Sequence, residues 1–378
     1  MIDRFVRRHF LEFKPYQSAR SEAHRAEIFL DANELSFGSP VSLDGVSLNR
    51  YPDPVQRKLR ESIASRIGVP VEMIFAGVGS DEIIDLLIRL TCSPQSDTIG
   101  VLEPTYGVYQ VAAHVNDVEV RTIPLDEDFQ LSLKRVEADL LPSMKIVFCC
   151  SPNNPTGKVF TKAELEFIRD LCVRWNAYCI TDEIYEHILY DGAEHVSMAR
   201  IEGMRDRTIV INGLSKTYSV TGWRVGWVLA PPGPTQPIRK VHDFLTVGAA
   251  APLQQAGASA LHFPQSYYDK LAHSYSAKRE RLLKILTSAG FTVFKPRGAY
   301  YIMTDISRFA DPDPARFPAG TKDVRFAKYL VEKIGVAVVP GSSFYNDARD
   351  GASQVRFTFC KKEETLAAAE ERLSKLHA

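Results

Sequence analysis

Short apolar segments alternate with amphipathic segments through the first two thirds of the chain. Five runs of β-branched and apolar residues have the length of buried strands, and they lie at 73–78, 98–102, 145–150, 178–181 and 208–212. Segments with apolar residues every three or four positions lie between them and predict helices, for example at 82–90 and 162–175. This alternation predicts an α/β architecture in which helices cover a mostly parallel sheet.

The residues that follow these five strands are unusual in composition. They read GSDE, EPTY, SPNNPTG, DEIY and LSK in chain order. Open parallel sheets bind ligands beyond the carboxyl ends of their strands. We therefore expect all five loops to face one crevice.

The last third of the chain has a different pattern. A long charged helix is expected around 269–289, and the strand-like sequences FTVFKP, YYIMTD, GVAVVP and QVRFTFC follow it. A chain of 378 residues is long enough for two domains. We predict a large domain at 46–275, a smaller α+β domain at 276–378, and an N-terminal arm at 1–45 that packs with the smaller domain.

Composition narrows the classes of partner. Lysine plus arginine and aspartate plus glutamate both number 46, so no net field favours nucleic acid or an anionic membrane. No apolar run is long enough to span a bilayer, and the N-terminus lacks a continuous apolar segment. Six cysteines without zinc spacing and nine histidines without an HExxH-like pair predict no metal site. We expect a cytoplasmic protein with small-molecule partners.

Two cations stand out in an apolar part of the chain. Lys216 follows the strand at 208–212, and Arg224 lies among glycines, tryptophans and valine. Because an unpaired buried charge is very costly, both side chains need anionic partners. Pyridoxal phosphate would serve both, since its aldehyde condenses with a lysine and its phosphate needs an arginine. The alternative is that both are surface residues at the ends of ordinary elements.

Two further strand ends carry groups suited to a flat, phosphorylated ligand. Gly79, Ser80 and Asp81 open a predicted helix, whose free N–H groups and positive dipole end favour phosphate. An ordinary Ser/Asp N-cap would have the same sequence. Tyr106 in EPTY could stack on a heterocycle, or it could simply pack.

The remaining loops supply polar groups for a ring. In SPNNPTG, two prolines fix the backbone and Asn154 offers an amide donor to a phenolate-type oxygen. Asp182 ends an apolar strand, so its poorly hydrated carboxylate needs a proton or a cationic partner. A protonated pyridine nitrogen meets that need and makes the ring an electron sink. Tyr185 could hydrogen bond the ring hydroxyl, whereas the alternative for Asp182 is a helix N-cap.

Six segments of the chain together resemble the class I/II aminotransferases, which are pyridoxal-phosphate enzymes of fold type I. They are SPNNPTGKVF, TDEIYEHILYDG, LSKTYSVTGWRVGW, PRGAYY, GVAVVPGSSF and VRFTFC. The resemblance covers nearly the whole chain. It implies an enzyme that moves an amino group from an amino acid to a 2-keto acid such as 2-oxoglutarate. A β-lyase or decarboxylase on the same fold remains an alternative, whereas a non-catalytic binding protein is disfavoured because Lys216, Asp182 and Arg224 are intact.

The resemblance also implies a role for each residue of this constellation. Lys216 would form the Schiff base and transfer protons, and Asp182 would pair with the ring nitrogen. Asn154 and Tyr185 would contact the ring hydroxyl, and Tyr106 would cover the ring face. Arg224 and the loop of Gly79, Ser80 and Asp81 would bind the phosphate. Arg356 would bind the substrate carboxylate, and Asn154 would also contact the substrate. Gly213 stands where many relatives have a phosphate-binding serine, so Ser215 or the backbone would supply that hydrogen bond.

Two parts of the resemblance bear on assembly and substrate. The tyrosine of RYPDP, Tyr51, would reach the phosphate site of a neighbouring subunit, which implies a homodimer. Tyr16 in the PYQSAR arm would line the substrate entrance, or else pack with the arm. The N-terminal half is similar to histidinol-phosphate aminotransferases, and the C-terminal half to aspartate, aromatic or kynurenine-type enzymes. Histidinol-phosphate aminotransferase is therefore an alternative function, with Arg356 on a phosphate.

Overall fold

The computed structural model describes residue 7 and residues 48–131, 144–317 and 320–376. Tyr16 and almost all of the predicted arm at 1–45 lie outside the described residues. Within the described residues, no helix is both long and apolar enough to cross a membrane. All six cysteines belong to the described ranges and are free thiols.

A seven-stranded sheet carries the first two thirds of the chain. Its strands are β1 (Ile74–Gly77), β2 (Thr98–Glu103), β3 (Glu119–Pro124), β4 (Met144–Cys150), β5 (Tyr178–Asp182), β6 (Thr208–Gly213) and β7 (Gly226–Leu229). The order is β1-β7-β6-β5-β4-β2-β3, and only β7 runs antiparallel to its neighbours. The mostly parallel sheet and all five predicted strands are confirmed.

The two strands that were not predicted have weaker sequence signals. β3 is an edge strand that exposes Glu119 and half-exposes Arg121, so it lacks the apolar run of a buried strand. β7 has four residues and begins at Gly226, whose missing side chain lowers strand propensity. Hydrogen bonding to a neighbouring strand, rather than local propensity, defines both elements.

Helices cover both faces of this sheet and continue into the last third of the chain. They are α1 (Arg57–Ile67), α2 (Ser80–Thr91), α3 (Val108–Val115), α4 (Lys162–Arg174), α5 (Pro232–Thr246), α6 (Ala251–Ala260), α7 (Gln265–Ser288), α8 (Lys322–Tyr329) and α9 (Glu363–Leu373). A capping box explains the start of α4, because Thr161 accepts a hydrogen bond from the Glu164 N–H and Glu164 bonds back. The predicted helices are confirmed, with α2 beginning two residues earlier.

A smaller antiparallel sheet follows α7. It contains β8 (Thr292–Phe294), β9 (Tyr301–Asp305), β10 (Val339–Pro340) and β11 (Gln354–Thr358) in the order β10-β11-β9-β8. Its apolar core also takes in Tyr185 and Ile188 from the loop after β5. This packing brings Arg356 of β11 to the carboxyl edge of the larger sheet.

Glu103 connects the two sheets. It is the last residue of β2, it is only 3% exposed, and it accepts hydrogen bonds from the Asn346 N–H (2.8 Å) and the Gln110 side chain. Asn346 lies in the segment between β10 and β11. Burial raises the pKa of Glu103 to about 7, against the weaker lowering effect of these hydrogen bonds.

Four buried carboxyl groups couple the stability of the folded protein to pH. Burial raises the pKa of Glu103 and Glu186 to about 7 and that of Asp182 and Asp243 to about 6. In the unfolded chain such groups titrate near pH ~4, so the folded state binds protons more tightly. Their stabilising contribution is fully present below that pH and is lost as the pH rises through about 6 to 7.

We therefore predict that the thermal unfolding midpoint of the ligand-free protein decreases as the pH is raised from about 5 to 8. Glu103→Gln can keep both hydrogen bonds, because an amide oxygen accepts hydrogen bonds as a carboxylate oxygen does. The glutamine has no charge to bury. The variant should lose less stability over that range than the parent, as measured by calorimetry. An identical pH profile for the two proteins would contradict this assignment of Glu103.

Candidate active site

One cavity of about 170 Å³ lies at the carboxyl edge of the larger sheet, where the loops after its strands meet β9 and β11. It is lined by Ser80, Asp81, Tyr106, Cys150, Asn154, Asp182, Ile184, Tyr185, Ser215, Lys216, Arg224, Tyr301 and Arg356. The residues predicted to share a crevice are thus brought together, with Gly79 directly beside Arg224. Tyr51 does not line this cavity.

The N-terminus of α2 and Arg224 form one end of the cavity. Ser80 and Asp81 are the first two helical residues, so their N–H groups have no acceptor within the helix. Arg224 Nη2 lies 2.9 Å from Asp81 Oδ2, and Tyr106 donates a hydrogen bond to Asp81 Oδ1 (3.0 Å). Gly79 has φ +86°, and a Cβ there would lie 2.8 Å from Arg224 Nη2. A cation and free N–H groups therefore converge at this end, which suits an anion.

The structure explains the glycine at 213. Gly213 ends β6 opposite Gly226, and a Cβ on Gly213 would lie 3.0 Å from the Val225 carbonyl oxygen. A serine here would require β7 to shift. Ser215 lies two residues further on and lines the cavity, so it is the nearby hydroxyl on this segment.

Asp182 reaches the cavity from the end of β5. The residue is 4% exposed, its Oδ2 accepts a hydrogen bond from the Tyr109 hydroxyl (2.9 Å), and its Oδ1 accepts one from the Ile184 N–H (3.2 Å). Burial raises the pKa of this carboxyl to about 6, while the Tyr109 hydrogen bond opposes the rise. Among the described residues it has no ion pair within 4 Å, and no helix begins at Asp182, so the alternative of a helix N-cap is wrong.

Lys216 is half-buried beside this carboxylate. Burial lowers the pKa of its ammonium group, and the charge of Asp182 acts in the opposite direction. A lowered pKa increases the fraction of neutral amine at a given pH. A neutral lysine amine is a nucleophile toward carbonyl groups and a proton acceptor.

The opposite wall joins the two sheets. Arg356 Nη1 donates a hydrogen bond to Asn154 Oδ1 (2.5 Å), across 202 positions of sequence. The guanidinium lies between aromatic rings, 4.2 Å from the centre of Tyr301 and 4.8 Å from that of Phe344. The Arg356 Nε atom is buried without a hydrogen-bond partner in the described structure, so the guanidinium retains an unused donor. Tyr185 shares a hydrogen bond of 2.7 Å with the Tyr301 hydroxyl.

Two tyrosines near the cavity were missed by sequence reasoning. Tyr301 lines the cavity and contacts both Tyr185 and Arg356, although only its position in the PRGAYY string drew attention to it. Tyr109 lies in the core behind Asp182, in α3 and three residues after Tyr106. Its local sequence carries no signal that distinguishes it from an ordinary core tyrosine.

A larger cavity of about 790 Å³ lies along β6 and β7. Its polar lining includes Glu183, which accepts hydrogen bonds from Ser197 Oγ (3.0 Å) and the Met198 N–H (3.1 Å), and pairs with His195 Nε2 (2.9 Å). Both oxygens of this buried carboxylate are thereby satisfied within the protein. We interpret the cluster as a structural network, because donors of the protein already satisfy the Glu183 carboxylate.

Comparison with known proteins gives a consistent result. The family model described as aminotransferase class I and II matches residues 20–373. The chain is 34% identical to a probable N-succinyldiaminopimelate aminotransferase of Mycobacterium tuberculosis, with 87% of this chain and 85% of that protein covered. It is 32% identical to kynurenine–oxoglutarate transaminase 1 of Rattus norvegicus, over 74% and 72% of the two chains.

Solved structures show the same fold. An Escherichia coli protein with a methionine aminotransferase function superposes with a TM-score of 0.78 at 29% identity, covering 87% of this chain and 86% of that one. Aspartate aminotransferase from Thermus thermophilus with maleate superposes with a TM-score of 0.76 at 31% identity, covering 87% and 84%. The chain therefore belongs to the class I and II aminotransferases, enzymes of fold type I that use pyridoxal phosphate to transfer amino groups between amino acids and 2-keto acids.

Proposed function

We propose that the 170 Å³ cavity is the transamination site of this protein, acting on an amino acid and a 2-keto acid such as 2-oxoglutarate. The observation that carries the proposal is the convergence of Lys216, Asp182 and Arg224 on one cavity. An amine of lowered pKa, a buried carboxylate and an arginine beside a helix N-terminus each need a partner that protein atoms only partly supply.

The residues present fit pyridoxal phosphate. Lys216 would hold the aldehyde carbon, and Arg224 with the first N–H groups of α2 would hold the phosphate. Asp182 has only neutral hydrogen-bond donors in the described structure, so it can accept a cationic ring nitrogen. The Gly79 position, where a Cβ would collide with Arg224, keeps the phosphate end open to close backbone approach.

The chain's own groups would then divide the work of proton transfer. When bound, the cofactor supplies an electron sink next to the reacting carbon. Lys216, as a free amine, would remove the proton from the substrate α-carbon and deliver a proton to the carbon on the cofactor side. Asp182 would keep a proton on the ring nitrogen, and Asn154 and Tyr185 would orient the ring hydroxyl. Tyr106 lies at the cavity wall, where its ring can cover the cofactor face.

Arg356 is proposed to hold the α-carboxylate shared by the amino acid and the keto acid. A guanidinium binds a carboxylate through two parallel hydrogen bonds, and Arg356 lines the cavity with only its Nη1 bonded to a side chain among the described residues, that of Asn154. This hydrogen bond orients the guanidinium. The relatives' names include donors as different as N-succinyldiaminopimelate and kynurenine, which share an α-amino acid group.

The experiment that tests this proposal follows the half-reaction by absorbance. Purified protein with bound cofactor is mixed in turn with glutamate, aspartate, methionine, kynurenine, an N-acyl diamino acid and histidinol phosphate. We expect one or more α-amino acids to convert the cofactor to its amine form, and 2-oxoglutarate to reverse the change. Conversion by histidinol phosphate alone would favour a histidinol-phosphate aminotransferase. Release of ammonia or carbon dioxide without reversible conversion of the cofactor to its amine form would contradict transamination.

We also propose that the protein is a homodimer in which Tyr51 acts in trans. We propose a cytoplasmic location, where the six cysteines stay as free thiols. Tyr51 is 59% exposed and lies outside the cavity of its own chain. Gln254 Nε2 donates a hydrogen bond to the Asp53 carbonyl (3.2 Å), which joins the Tyr51 loop to α6. Phe244 and Leu245, at the end of the preceding helix, are exposed. Exposed aromatic and aliphatic side chains of this kind suit contact with a second copy of the chain. The predicted units at 46–275 and 276–378 form each protomer in this proposal.

Mixing two inactive variants tests the trans contact. In a dimer of Tyr51→Ala with Lys216→Ala chains, one site receives an intact lysine and the partner's intact tyrosine. Refolding or co-expressing equal amounts should therefore restore roughly a quarter of wild-type sites, since dimers form at random. Each variant alone stays inactive or weakly active. If mixing restores nothing although sedimentation shows mixed dimers, Tyr51 does not act across the interface.

A further inference from the structure

Tyr109 approaches the site from the protein core. It lies in α3, it is 1% exposed, and it does not line the cavity. Its ring stacks on Phe148 of β4 with centroids 4.8 Å apart and an interplanar angle of 18°. The Tyr106 ring meets it edge-on at 5.8 Å. The packing fixes the tyrosine ring on both sides, so its hydroxyl has a defined position.

The hydroxyl of Tyr109 controls one oxygen of Asp182. It donates to Oδ2 at 2.9 Å, while the Ile184 N–H donates to Oδ1 at 3.2 Å. With one donor on each oxygen, the carboxylate plane cannot rotate without breaking a buried hydrogen bond. Each oxygen still has a second lone pair, so the group can accept a further donor from the cavity.

The charges around Asp182 make this hydrogen bond consequential. Burial raises its pKa, the Tyr109 and Ile184 donors lower it, the charge of Asp81 raises it, and that of Lys216 lowers it. Tyr109 itself stays protonated, because burial and the adjacent Asp182 charge raise its pKa well above the ordinary value. Cys150, another titratable neighbour, is also held neutral by burial, which raises its pKa. Tyr109 is thus a permanent donor to a carboxylate that burial pushes toward protonation.

We propose that Tyr109 is a positioning residue that acts through Asp182, fixing the carboxylate in one orientation and keeping it ionised for a protonated ring nitrogen of the bound cofactor. The inference rests on the proposed function of the site. Tyr109 touches neither substrate nor cofactor in this arrangement. The competing interpretation is a core tyrosine whose hydroxyl merely satisfies a buried acceptor.

Tyr109→Phe and Tyr190→Phe form a matched pair. Tyr190 is 3% exposed, and its hydroxyl donates to the Ala299 carbonyl (2.6 Å) away from the cavity. Each substitution removes one buried hydroxyl and keeps the ring. The measurements are the thermal midpoint without ligand, the affinity for pyridoxal phosphate between pH 5 and 9, and kcat and KM of the loaded enzyme.

A positioning role predicts a distinct result for Tyr109→Phe. Cofactor affinity rises as Asp182 ionises, so the pH midpoint of cofactor binding lies near 6. Loss of the Tyr109 hydroxyl should raise that pH midpoint by about one unit. Cofactor affinity should therefore fall about threefold at pH 6.5 and about tenfold at pH 5, and kcat should fall about tenfold with KM changed less than threefold. Tyr190→Phe should leave the pH midpoint and kcat unchanged. Equal behaviour of the two variants would overturn the inference.

The double variant Tyr109→Phe/Asp182→Asn separates the remaining outcomes. With no carboxylate to hold, loss of the hydroxyl should add little to the effect of Asp182→Asn. If Tyr109→Phe fails to fold but the double variant folds, satisfying a buried acceptor is sufficient to explain the hydroxyl, and the inference is overturned in favour of the competing interpretation. Failure of both to fold overturns it. A wild-type protein that binds no pyridoxal phosphate would instead refute the proposed function.

Discussion

Replacing Asp182 by asparagine is expected to lower kcat by roughly 200- to 5,000-fold. Breaking a buried ion pair costs about 3–5 kcal/mol, and each ~1.4 kcal/mol corresponds to a factor of ten in rate. An asparagine can still accept a hydrogen bond from the ring nitrogen, but it carries no charge to keep that nitrogen protonated. The electron-accepting capacity of the ring falls with the loss of that proton. Cofactor affinity should fall as well, because Asp182 is the buried anion of the cavity.

Steady-state kinetics with excess pyridoxal phosphate measure this effect, and Asp243→Asn is the control. Asp243 lies in α5, outside the cavity, and burial raises its pKa to about 6 as it does for Asp182. The same isosteric change at Asp243 should leave kcat within twofold of the parent. A cofactor-saturated Asp182→Asn enzyme that retains wild-type kcat would show that Asp182 does not serve the ring nitrogen.

Arg356→Ala is expected to raise the KM of both the amino acid and the keto acid by roughly 30-fold or more. Truncating one partner of a desolvated, hydrogen-bonded charge pair costs about 2–5 kcal/mol. The effect should appear on both half-reactions, because both substrates present the same α-carboxylate. Arg356→Lys should recover only part of the loss, since an ammonium lacks the planar fork of the guanidinium.

Initial rates over a range of both substrates measure the two KM values, with Arg325→Ala as the control. Arg325 pairs with Asp311 on the surface (2.5 Å) and lies away from the cavity. Its loss should change neither KM. An Arg356→Ala enzyme with unchanged KM for both substrates would require another cation to hold the carboxylate.

The ends of the strands were predictable because their sequences are locally determined. Asp182 follows an apolar run, and Gly79 opens a helix, so each position follows from residues within about ten places on either side. Because parallel strands align their carboxyl ends, these local predictions were sufficient to place Asp182, Lys216 and Asn154 in one crevice. The geometry of the parallel sheet supplied the long-range information.

Contacts between distant elements were not predictable in the same way. The Tyr109 hydroxyl meets Asp182 across 73 positions, and the Arg356 guanidinium meets Asn154 across 202. Nothing in the local sequence around Tyr109 distinguishes a core tyrosine from one that donates to a carboxylate. The role of Arg356 was inferred from resemblance, and its contacts with the rings of Tyr301 and Phe344 emerge only from the packing of β11 with β9 and with the segment 341–344.

The central claim is that Lys216 binds the carbonyl carbon of pyridoxal phosphate in the cavity beside Asp182. The most direct test is borohydride reduction of the protein with bound cofactor, followed by proteolysis and mass spectrometry of the labelled peptide. We predict loss of the visible absorbance band and a single stable adduct on Lys216, absent from Lys216→Ala. An adduct on a different lysine, or a cofactor that remains removable by dialysis after reduction, would contradict the account.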